Sequence, residues 1–333
     1  MTQETALVTG ACGFVGSHMT AHLAAKGYRV VATDHPGADR RRLAAGIEFI
    51  PADITRPESL EALGRAEIHK IFHVAAVFDY LASQETLERV NCQGTRHLLE
   101  FLSNRRSSIR HVVVWSSGSV YGRNFKRAAV TEKDATDPIN PYERSKLLQE
   151  TIALDFQKTT GLPVTVIRPS AIYGPQSRYG MAVPVFLIRK GLLRFVPGDG
   201  RPIGSFAHVD DVVGAAEFLS ARPEAAGEIY NVSDDSSMMI EDALCLAADL
   251  MGVRFFRAHI PLPPLLWAAW IDETVSRMLR RRPLLERDLI EYMRRNFWMD
   301  NSKLKSLGYA FKYPTLRSGL PGTIEWYRRA GWI

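Results

Sequence analysis

The sequence predicts an α/β protein whose core is a doubly wound parallel sheet, followed by a smaller, mostly helical C-terminal lobe. Over residues 1–169, short apolar runs rich in Val and Ile alternate with longer segments of helical periodicity. Strands of this kind belong to parallel sheets that are covered by helices on both faces. After residue 169 the alternation loosens, and loops with proline and glycine separate shorter helices.

The predicted elements follow one another in a regular order. The expected strands are Ala6–Thr9, Arg29–Thr33, Ile47–Pro51, Ile71–Ala75, His111–Trp115 and Pro163–Ile167. The expected helices between them are Phe14–Lys26, Glu85–Asn104 and Tyr142–Thr160. A strand at Glu228–Val232 and a helix at Ile240–Met251 are expected at the edge of the same sheet. We therefore assign residues 1–169, with 206–250 as an edge contribution, to the sheet domain, and residues 170–205 and 251–333 to the second lobe.

Composition excludes several classes of protein. With 333 residues, 46% hydrophobic and 23% charged, the chain is not disordered, collagen-like or a coiled-coil rod. The net charge of +6 suits anionic small molecules or an anionic membrane surface, and is too weak to indicate a nucleic-acid partner. Cys12, Cys92 and Cys245 lie far apart, so we expect neither a disulfide framework nor a metal site. The N-terminus lacks the pattern of a signal peptide, and we expect a cytoplasmic protein.

A glycine-rich loop lies between the first strand and the first helix. Each glycine has a physical role: Gly10 allows the tight turn, Gly13 lets backbone approach a pyrophosphate, and Gly16 lets the helix pack close to the strand. The helix then begins at Phe14 and Val15 with unpaired N–H groups that face the phosphates. Strand, loop and helix occur in the required order, which predicts a Rossmann-type dinucleotide site.

Acidic and small residues at the ends of later strands extend this site. Asp34 ends the second strand 18 residues after Gly16, where a carboxylate binds the adenosine ribose and repels a 2′-phosphate. This carboxylate favours NAD over NADP. The three arginines at 40–42 that follow could instead bind a 2′-phosphate, so NADP is the less favoured alternative. Asp53 and Ile54 are placed to meet the adenine, and Asp53 could instead cap a helix. Small residues at the end of the fourth strand leave room for the dinucleotide across the strand ends; they are Val74, Ala75 and Ala76.

Tyr142 and Lys146 are four residues apart on one predicted helix and therefore share a face. A phenol with a pKa near 10 is a poor base at neutral pH. An ammonium about 4 Å away, at an effective dielectric near 20, stabilises the phenolate by about 4 kcal/mol. That interaction would bring the pKa of Tyr142 near 7, where general acid–base catalysis is efficient. Ser117 follows a strand at the carboxyl edge of the sheet, where its hydroxyl can bind a substrate oxygen.

These motifs resemble the extended short-chain dehydrogenase/reductase family, also described as the NAD-dependent epimerase/dehydratase superfamily. The matching segments cover nearly the whole chain; they are 10–16, 73–76, 90–95, 116–122, 142–146, 168–175 and 206–211. The resemblance implies a catalytic triad of Ser117, Tyr142 and Lys146, with Lys146 also binding the nicotinamide ribose. It implies that Asn91 is the family's helix-bending asparagine and that it belongs to the cofactor-binding residues. It assigns Ser116, Pro169 and Ile172 to the nicotinamide end of the cofactor.

Within that family, two branches compete for the substrate. Nucleotide-sugar epimerases and dehydratases usually carry Asn at the position of Ala171 and Arg at the position of Gly204, and both groups serve the sugar diphosphate. Without these donors a diphosphate loses charge-assisted hydrogen bonds of roughly 1.5–3 kcal/mol each. The other branch resembles 3β-hydroxysteroid and sterol-4-carboxylate 3-dehydrogenases. The expected substrate residues are Phe78, Tyr80, Ser119, Ser170, Tyr179, Met181 and Phe186, and the aromatic and apolar ones could equally be core.

The apolar run from Leu262 to Trp270 fits an apolar substrate better than a sugar. With the basic residues that follow, residues 260–282 also suit a peripheral contact at the inner membrane surface. A solvated basic face over a buried helix is the alternative.

The resemblance further implies a homodimer formed through the helices Glu85–Asn104 and Tyr142–Thr160. The sequence thus predicts an NAD-dependent oxidoreductase for a secondary alcohol or ketone, with a nucleotide-sugar 4-epimerase or dehydratase holding NAD tightly as the alternative.

Overall fold

The computed structural model describes residues 3–78, 82–125, 128–279, 283 and 287–333, apart from the side chains of residues 288, 289 and 292. The strands are β1 Thr5–Thr9, β2 Arg29–Thr33, β3 Glu48–Phe49, β4 Lys70–His73, β5 His111–Trp115, β6 Val164–Pro169, β7 Ala171–Tyr173, β8 Phe195–Pro197, β9 Ile203–Gly204, β10 Phe206–His208, β11 Ile229–Val232, β12 Met238–Met239 and β13 Phe256–Ile260. The helices are α1 Phe14–Ala25, α2 Pro57–Leu60, α3 Gln84–Leu87, α4 Gly94–Ser103, α5 Pro141–Thr160, α6 Ala182–Arg189, α7 Val209–Ser220, α8 Ile240–Met251, α9 Leu262–Met278, α10 Arg287–Met293, α11 Ser302–Ser306 and α12 Leu316–Arg329.

The main sheet has seven strands in the order β11-β6-β5-β4-β1-β2-β3, and every neighbouring pair is parallel. The chain therefore winds outward from β1 in one direction and, after crossing over to β4, in the other. This is the doubly wound, Rossmann-type order, and it confirms the predicted fold class. Ligands bind such sheets at the carboxyl ends of the strands, beside the point where the winding reverses.

Helices cover both faces of this sheet because its strands are apolar on both faces. Ala6 and Val8 of β1 belong to one core with Met19 of α1. Leu7, between them, belongs to the opposite core with Leu98 of α4. Successive side chains of a strand point to opposite faces, so an uninterrupted apolar strand supplies both cores.

The predicted helix Glu85–Asn104 contains a feature that periodicity did not predict. Between α3 and α4 the chain forms a π-helical segment, Glu88–Gln93, that includes Asn91. A single turn with i→i+5 hydrogen bonds widens and redirects a helix, often at a functional site. Its position matches the helix-bending role that the resemblance implied for Asn91.

The C-terminal elements form a further core of their own. It is built from α6, α8 and α12, with members such as Val185, Leu244 and Ile324. Two short parallel strands, β7 and β10, lie beside this core. The helical C-terminal region is therefore confirmed, while the domain boundary at residue 169 stays a prediction.

Candidate active site

The glycine loop is packed tightly against the loop that follows β4. Gly10 has a φ of +64°, and a Cβ there would lie 2.7 Å from the Ala75 Cα atom. A Cβ on Gly16 would lie 2.0 Å from the Gly10 carbonyl oxygen, so α1 can approach β1 only with glycine at this position. Backbone conformation and close packing thus explain Gly10 and Gly16 without a ligand.

The start of α1 fits a pyrophosphate. Gly13 is the N-cap, and no side chain caps the first-turn N–H groups within the described residues. A Cβ on Gly13 would meet only the Gly10 carbonyl oxygen, at 3.2 Å, so the loop is open on its outer side. Phe14 and Val15 are half-buried at the start of the helix. Uncapped N–H groups at a helix N-terminus favour an anion, which is the chemistry of the phosphate groups of NAD.

Asp34 lies directly after β2 beside this loop. Its carboxylate accepts hydrogen bonds from the Cys12 backbone N–H at 3.0 Å and the His35 N–H at 2.9 Å. These bonds fix the orientation of the carboxylate, and the bond from Cys12 also holds the glycine loop in place. The position at the end of β2 is the one from which an acidic residue reaches the adenosine ribose.

Asp53 and Ile54 have local partners. The Asp53 carboxylate accepts from the Thr55 backbone N–H at 2.9 Å and from its hydroxyl at 2.8 Å. Burial acts to raise the pKa of Asp53, and the Thr55 hydrogen bonds together with the nearby Arg56 and His35 outweigh burial and lower that pKa. The Ile54 side chain is buried, and it would lie 2.8 Å from a Cβ on Gly94 of α4. The predicted adenine contact of this pair stays a prediction.

The carboxyl ends of β4, β5 and β6 form the floor of the cleft in which a Rossmann-type sheet binds its ligand. Val74, Ala75 and Ala76 are half-buried after β4, and the Ala75 N–H donates to the Thr9 hydroxyl at 3.2 Å. Ser116 is buried after β5, and none of the described residues supplies a hydrogen-bond partner for its hydroxyl. A buried hydroxyl without a partner is costly unless a ligand pairs with it, so Ser116 fits the predicted cofactor contact. Pro169 ends β6 and Ile172 lies in β7 beside it.

Tyr142 and Ser117 are brought together as predicted. Tyr142 lies in the first turn of α5, which is capped by the Asn140 side chain and begins with Pro141. Ser117 hydrogen-bonds the Tyr142 side chain, and the Ser117 and Ser119 hydroxyls are 2.8 Å apart. Burial raises the pKa of Tyr142 above its usual value, and the Ser117 hydrogen bond only partly opposes this. Tyr142 is therefore a neutral phenol near pH 7.

Lys146 differs from the prediction. Its Nζ donates to the Trp115 carbonyl and to the Gln149 side-chain oxygen, each at 2.5 Å. Burial lowers the pKa of Lys146 to about 7. The expected pKa of Tyr142 near 7 was wrong for this arrangement, because burial raises the pKa of the phenol and Lys146 donates its hydrogen bonds to Trp115 and Gln149.

A buried polar network that the sequence analysis missed holds Lys146. Gln149 donates from Nε2 to the Thr95 hydroxyl at 2.8 Å. The two ring nitrogens of His73 lie 2.8 Å from the hydroxyls of Thr95 and Thr9. Burial lowers the pKa of His73 to about 3, so the ring is neutral. The only signal in the sequence is the presence of polar residues among the apolar ones of β4, α4 and α5; they are His73, Thr95 and Gln149.

Asn91 connects the catalytic helix to the cleft floor. Its side-chain oxygen accepts from the Val77 N–H at 2.8 Å, and its Nδ2 donates to the Ser145 hydroxyl at 2.9 Å. The side chain is fully buried. This makes Asn91 a positioning residue, and a direct contact with the cofactor stays a prediction.

Two further aromatic rings, of Phe78 and Tyr179, follow the Tyr142 ring on the predicted substrate side. Phe78 packs edge-on against Tyr142, with ring centroids 5.1 Å apart, and against Tyr179 at 5.3 Å. Phe78 is 41% exposed, so it presents an apolar surface directly beside the Tyr142 side chain. Ser170 is buried, and its hydroxyl also lacks a partner within the described part of the chain. Tyr80 lies outside the described residues.

Two predicted substrate residues pack in a core. Met181 is buried in the core of the C-terminal lobe. Phe186 packs there against Tyr327 at 5.2 Å and Trp332 at 6.1 Å between ring centroids. Packing around α6 explains their apolar character, and their contact with a substrate stays a prediction.

Comparison with known proteins identifies the family. The model of the NAD dependent epimerase/dehydratase family matches residues 6–233, which include the glycine loop, the strand ends and the Tyr142–Lys146 helix. The chain belongs to this family. It is therefore an enzyme that uses NAD and acts on CH–OH groups of a small molecule, which confirms the predicted cofactor and reaction class.

Relatives within the NAD-dependent epimerase/dehydratase family differ in substrate. A sterol-4-alpha-carboxylate 3-dehydrogenase, decarboxylating, from Mus musculus is 30% identical over 76% of this chain and 70% of its own length. A UDP-N-acetyl-alpha-D-glucosaminuronate decarboxylase from Bacillus cytotoxicus is 27% identical over 98% of each chain. The crystal structure of MoeE5 in complex with UDP-glucuronic acid and NAD is 28% identical, with a TM-score of 0.75 over 98% of this chain and 99% of that one.

Gly204 and Ala171 occupy the two positions at which the resemblance expects polar side chains in the nucleotide-sugar branch. Gly204 is buried in β9, and a Cβ there would lie 2.9 Å from the Phe206 ring and 3.1 Å from the Ile240 side chain. An arginine at this position has no room unless Phe206 moves. Ala171, in β7, provides no hydrogen-bonding side chain. Within this family, the chain thus lacks both polar groups that the resemblance associates with a sugar diphosphate.

The apolar run after residue 260 corrects another expectation. Trp267 is 68% exposed and Trp270 and Ile271 are also exposed, whereas Ala269 is the run's buried residue. These large side chains are therefore not walls of an enclosed pocket. Neither is this a buried helix under a basic face, because α9 presents its apolar side chains to the outside.

Proposed function

We propose that this enzyme is an NAD-dependent oxidoreductase that interconverts a secondary alcohol and a ketone on an apolar substrate, as a 3β-hydroxysteroid or sterol dehydrogenase does. The observation that carries this proposal is the wall beside the reacting group. Phe78, between Tyr142 and Tyr179, covers the phenol with apolar surface. Exclusion of a side chain at Gly204 supports it, because a diphosphate would be left without an arginine there.

In this proposal Ser117 and Tyr142 bind the carbinol oxygen. Ser117 already hydrogen-bonds Tyr142, so the two hydroxyls converge on one point where a substrate oxygen can sit. Tyr142 takes the hydroxyl proton during oxidation and returns it to the oxygen during reduction. NAD, when bound, supplies the hydride acceptor. The charge of Lys146 would stabilise the phenolate that oxidation requires, one helical turn away.

The residues that would hold NAD lie along the strand ends. The first-turn amides of α1 and the open side of Gly13 suit the pyrophosphate, and the Asp34 carboxylate suits a ribose. The unpaired hydroxyl of Ser116 suits a hydrogen bond to the nicotinamide end.

We extend the proposal to substrates with a carboxylate β to the new ketone. Such a β-keto acid loses carbon dioxide because the ketone accepts the electron pair of the breaking C–C bond, which leaves an enolate that then gains a proton. The hydroxyls of Ser117 and Tyr142 would stabilise that enolate oxygen. No additional catalytic side chain is needed for this step.

The second candidate is a nucleotide-sugar 4-epimerase or dehydratase that keeps NAD tightly bound. It is favoured by the relative from Bacillus cytotoxicus, which matches this chain over 98% of both lengths. This function would return the hydride within one catalytic cycle. It predicts co-purified NAD and no net NADH.

We also propose a cytoplasmic homodimer formed through the faces of α4 and α5, as the family resemblance implies. Leu148 of α5 is an exposed large apolar side chain that such an interface would cover. Leu148→Glu is expected to lower the mass in solution to that of one chain, measured by light scattering, and an unchanged mass would contradict this interface.

A screen for NADH formation at 340 nm tests the proposed function. The screen sets 3β-hydroxysteroids and 3-hydroxy acids against UDP- and dTDP-sugars, with NAD in excess and Tyr142→Phe as the control enzyme. We expect NADH with a hydroxysteroid or apolar hydroxy acid and none with the sugars. Turnover of a nucleotide sugar without net NADH would support the second candidate and refute the first.

A further inference from the structure

Helix α9 carries a continuous apolar stripe on its exposed side. The stripe consists of Trp267, Trp270, Ile271, Val275 and Met278, and it continues into Leu279 after the helix end. The spacing of three and four residues places these side chains on one face of the helix. Met278 is 80% exposed, and the two tryptophan rings contact each other with centroids 5.9 Å apart. Apolar side chains on one exposed helix face usually mark an interaction surface.

The acidic residues of α9 do not contribute to this stripe. Glu273 is buried and pairs with Arg287 at 2.7 Å. Asp272 is half-buried and accepts from the Ser276 hydroxyl at 3.2 Å. The exposed charge on the helix is Arg277, which has no ion pair within the described residues. The stripe is therefore bordered by positive charge.

A second exposed apolar group lies on β8 and β13, two paired strands that precede α9 in the chain. Phe195 of β8 and Phe256 of β13 stack with centroids 5.5 Å apart, and both are exposed. Arg194 and Arg254 accompany these rings, and neither makes an ion pair among the described side chains. β13 leads into α9 through Pro261. Exposed aromatic rings thus occur a second time in the chain beside arginines that make no ion pair within the described residues.

We propose that α9 binds the surface of an anionic lipid bilayer, with its stripe in the acyl–headgroup boundary and Arg277 at the phosphates. A helix with aromatic anchors on one face and basic residues at its border binds such a surface. Within the described residues, no helix combines the length and the apolar character needed to cross a bilayer. The contact is therefore a helix lying in the plane of the surface.

Charge decides between a bilayer and a second copy of the chain. A symmetric dimer through α9 would bring together two copies of a chain whose net charge is +6, with Arg277 at the border of the patch on each copy. Like charges at an interface oppose association, whereas anionic headgroups would neutralise the same arginines. The inference does not depend on the reaction that the enzyme catalyses, since binding can be measured without substrate.

Vesicle flotation tests the proposal. The full-length protein is mixed with vesicles of phosphatidylcholine and phosphatidylglycerol in a 7:3 ratio, or of phosphatidylcholine alone. We expect flotation with the anionic vesicles, weakened by salt, and little with the neutral ones. The double variant Trp267→Glu, Met278→Glu should bind at least tenfold more weakly, and Arg277→Gln about fivefold more weakly. Because all three side chains are exposed, the variants should keep the wild-type melting temperature.

Met239→Glu is the matched control, since Met239 is an exposed methionine on β12 outside the stripe. It should float like the wild type. Absence of binding to anionic vesicles, or equal loss in Met239→Glu, would overturn the proposal. A lower mass of the Trp267→Glu, Met278→Glu variant in vesicle-free light scattering would also overturn it, because that result assigns the stripe to a second copy of the chain.

Discussion

Replacing Gln149 by glutamate should change how Lys146 of the proposed catalytic triad titrates. The Gln149 side-chain oxygen lies 2.5 Å from Lys146 Nζ, so the variant places a carboxylate against a buried amine. Two unit charges about 4 Å apart at an effective dielectric near 20 interact by about 4 kcal/mol, which corresponds to about three pKa units. We therefore expect the pKa of Lys146 to rise from about 7 by about one to three units.

The sign of the pH effect follows from the two pKa directions. Burial keeps Tyr142 protonated near neutral pH, so in ketone reduction the proton donor is always loaded. Lys146 must be charged to stabilise the phenolate that remains, and wild-type reduction should fall as pH rises through about 7. In Gln149→Glu the fall should move to higher pH, because the lysine keeps its proton longer.

The measurement is kcat/KM for NADH-dependent reduction of a ketone found in the substrate screen, from about pH 5.5 to about pH 10. Gln149→Met is the matched control. It also loses the hydrogen bond to Thr95 but adds no charge, so its fall should not move to higher pH. If the profiles of the wild type and Gln149→Glu fall at the same pH, Lys146 is not the titrating group and the reasoning fails.

Three further variants test separate parts of the site. Tyr142→Phe should lower turnover at least about 10²-fold with NAD affinity nearly unchanged, and near-wild-type turnover would contradict the mechanism. Glu150 and Arg168 form a buried ion pair at 2.5 Å, and Glu150→Ala leaves the arginine without this partner. The free energy of unfolding, measured in urea, should fall by about 3–5 kcal/mol. A fall of less than about 1 kcal/mol would count against a buried pair. Asp34→Ser should raise the kcat/KM ratio of NADP to NAD at least about tenfold, while its hydroxyl keeps an acceptor for the Cys12 N–H. An unchanged ratio would show that Asp34 does not exclude the 2′-phosphate.

The sheet could be predicted from the sequence because its strands carry a purely local signal. β2 and β5 begin and end at the predicted residues, since Val-rich runs between polar turns specify buried strands. β3 is only Glu48–Phe49, shorter than the predicted Ile47–Pro51. It is one of the two edge strands, and Pro51 has no N–H to donate to a ladder.

The direction of apolar side chains outside the main sheet could not be predicted in the same way. Phe78, Phe186 and Trp267 are all aromatic residues in apolar surroundings in the sequence. The structure places Phe78 against the catalytic phenol, Phe186 in a core and Trp267 on the surface. Composition reports only that apolar area exists, whereas tertiary packing decides whether it is wall, core or contact surface.

The Tyr142–Lys146 pair shows the same limit within the catalytic helix. A spacing of four residues establishes that both side chains share a face, but it does not choose the acceptor of the ammonium. That choice belongs to Trp115 at the end of β5 and to Gln149, which is itself held by Thr95 of α4. The direction of the lysine side chain is therefore set by groups from three elements, namely a backbone carbonyl of β5 and side chains of α5 and α4. Because this control is tertiary, altering Gln149 should change the pH response of the reaction without any change to the helical spacing that identified the pair.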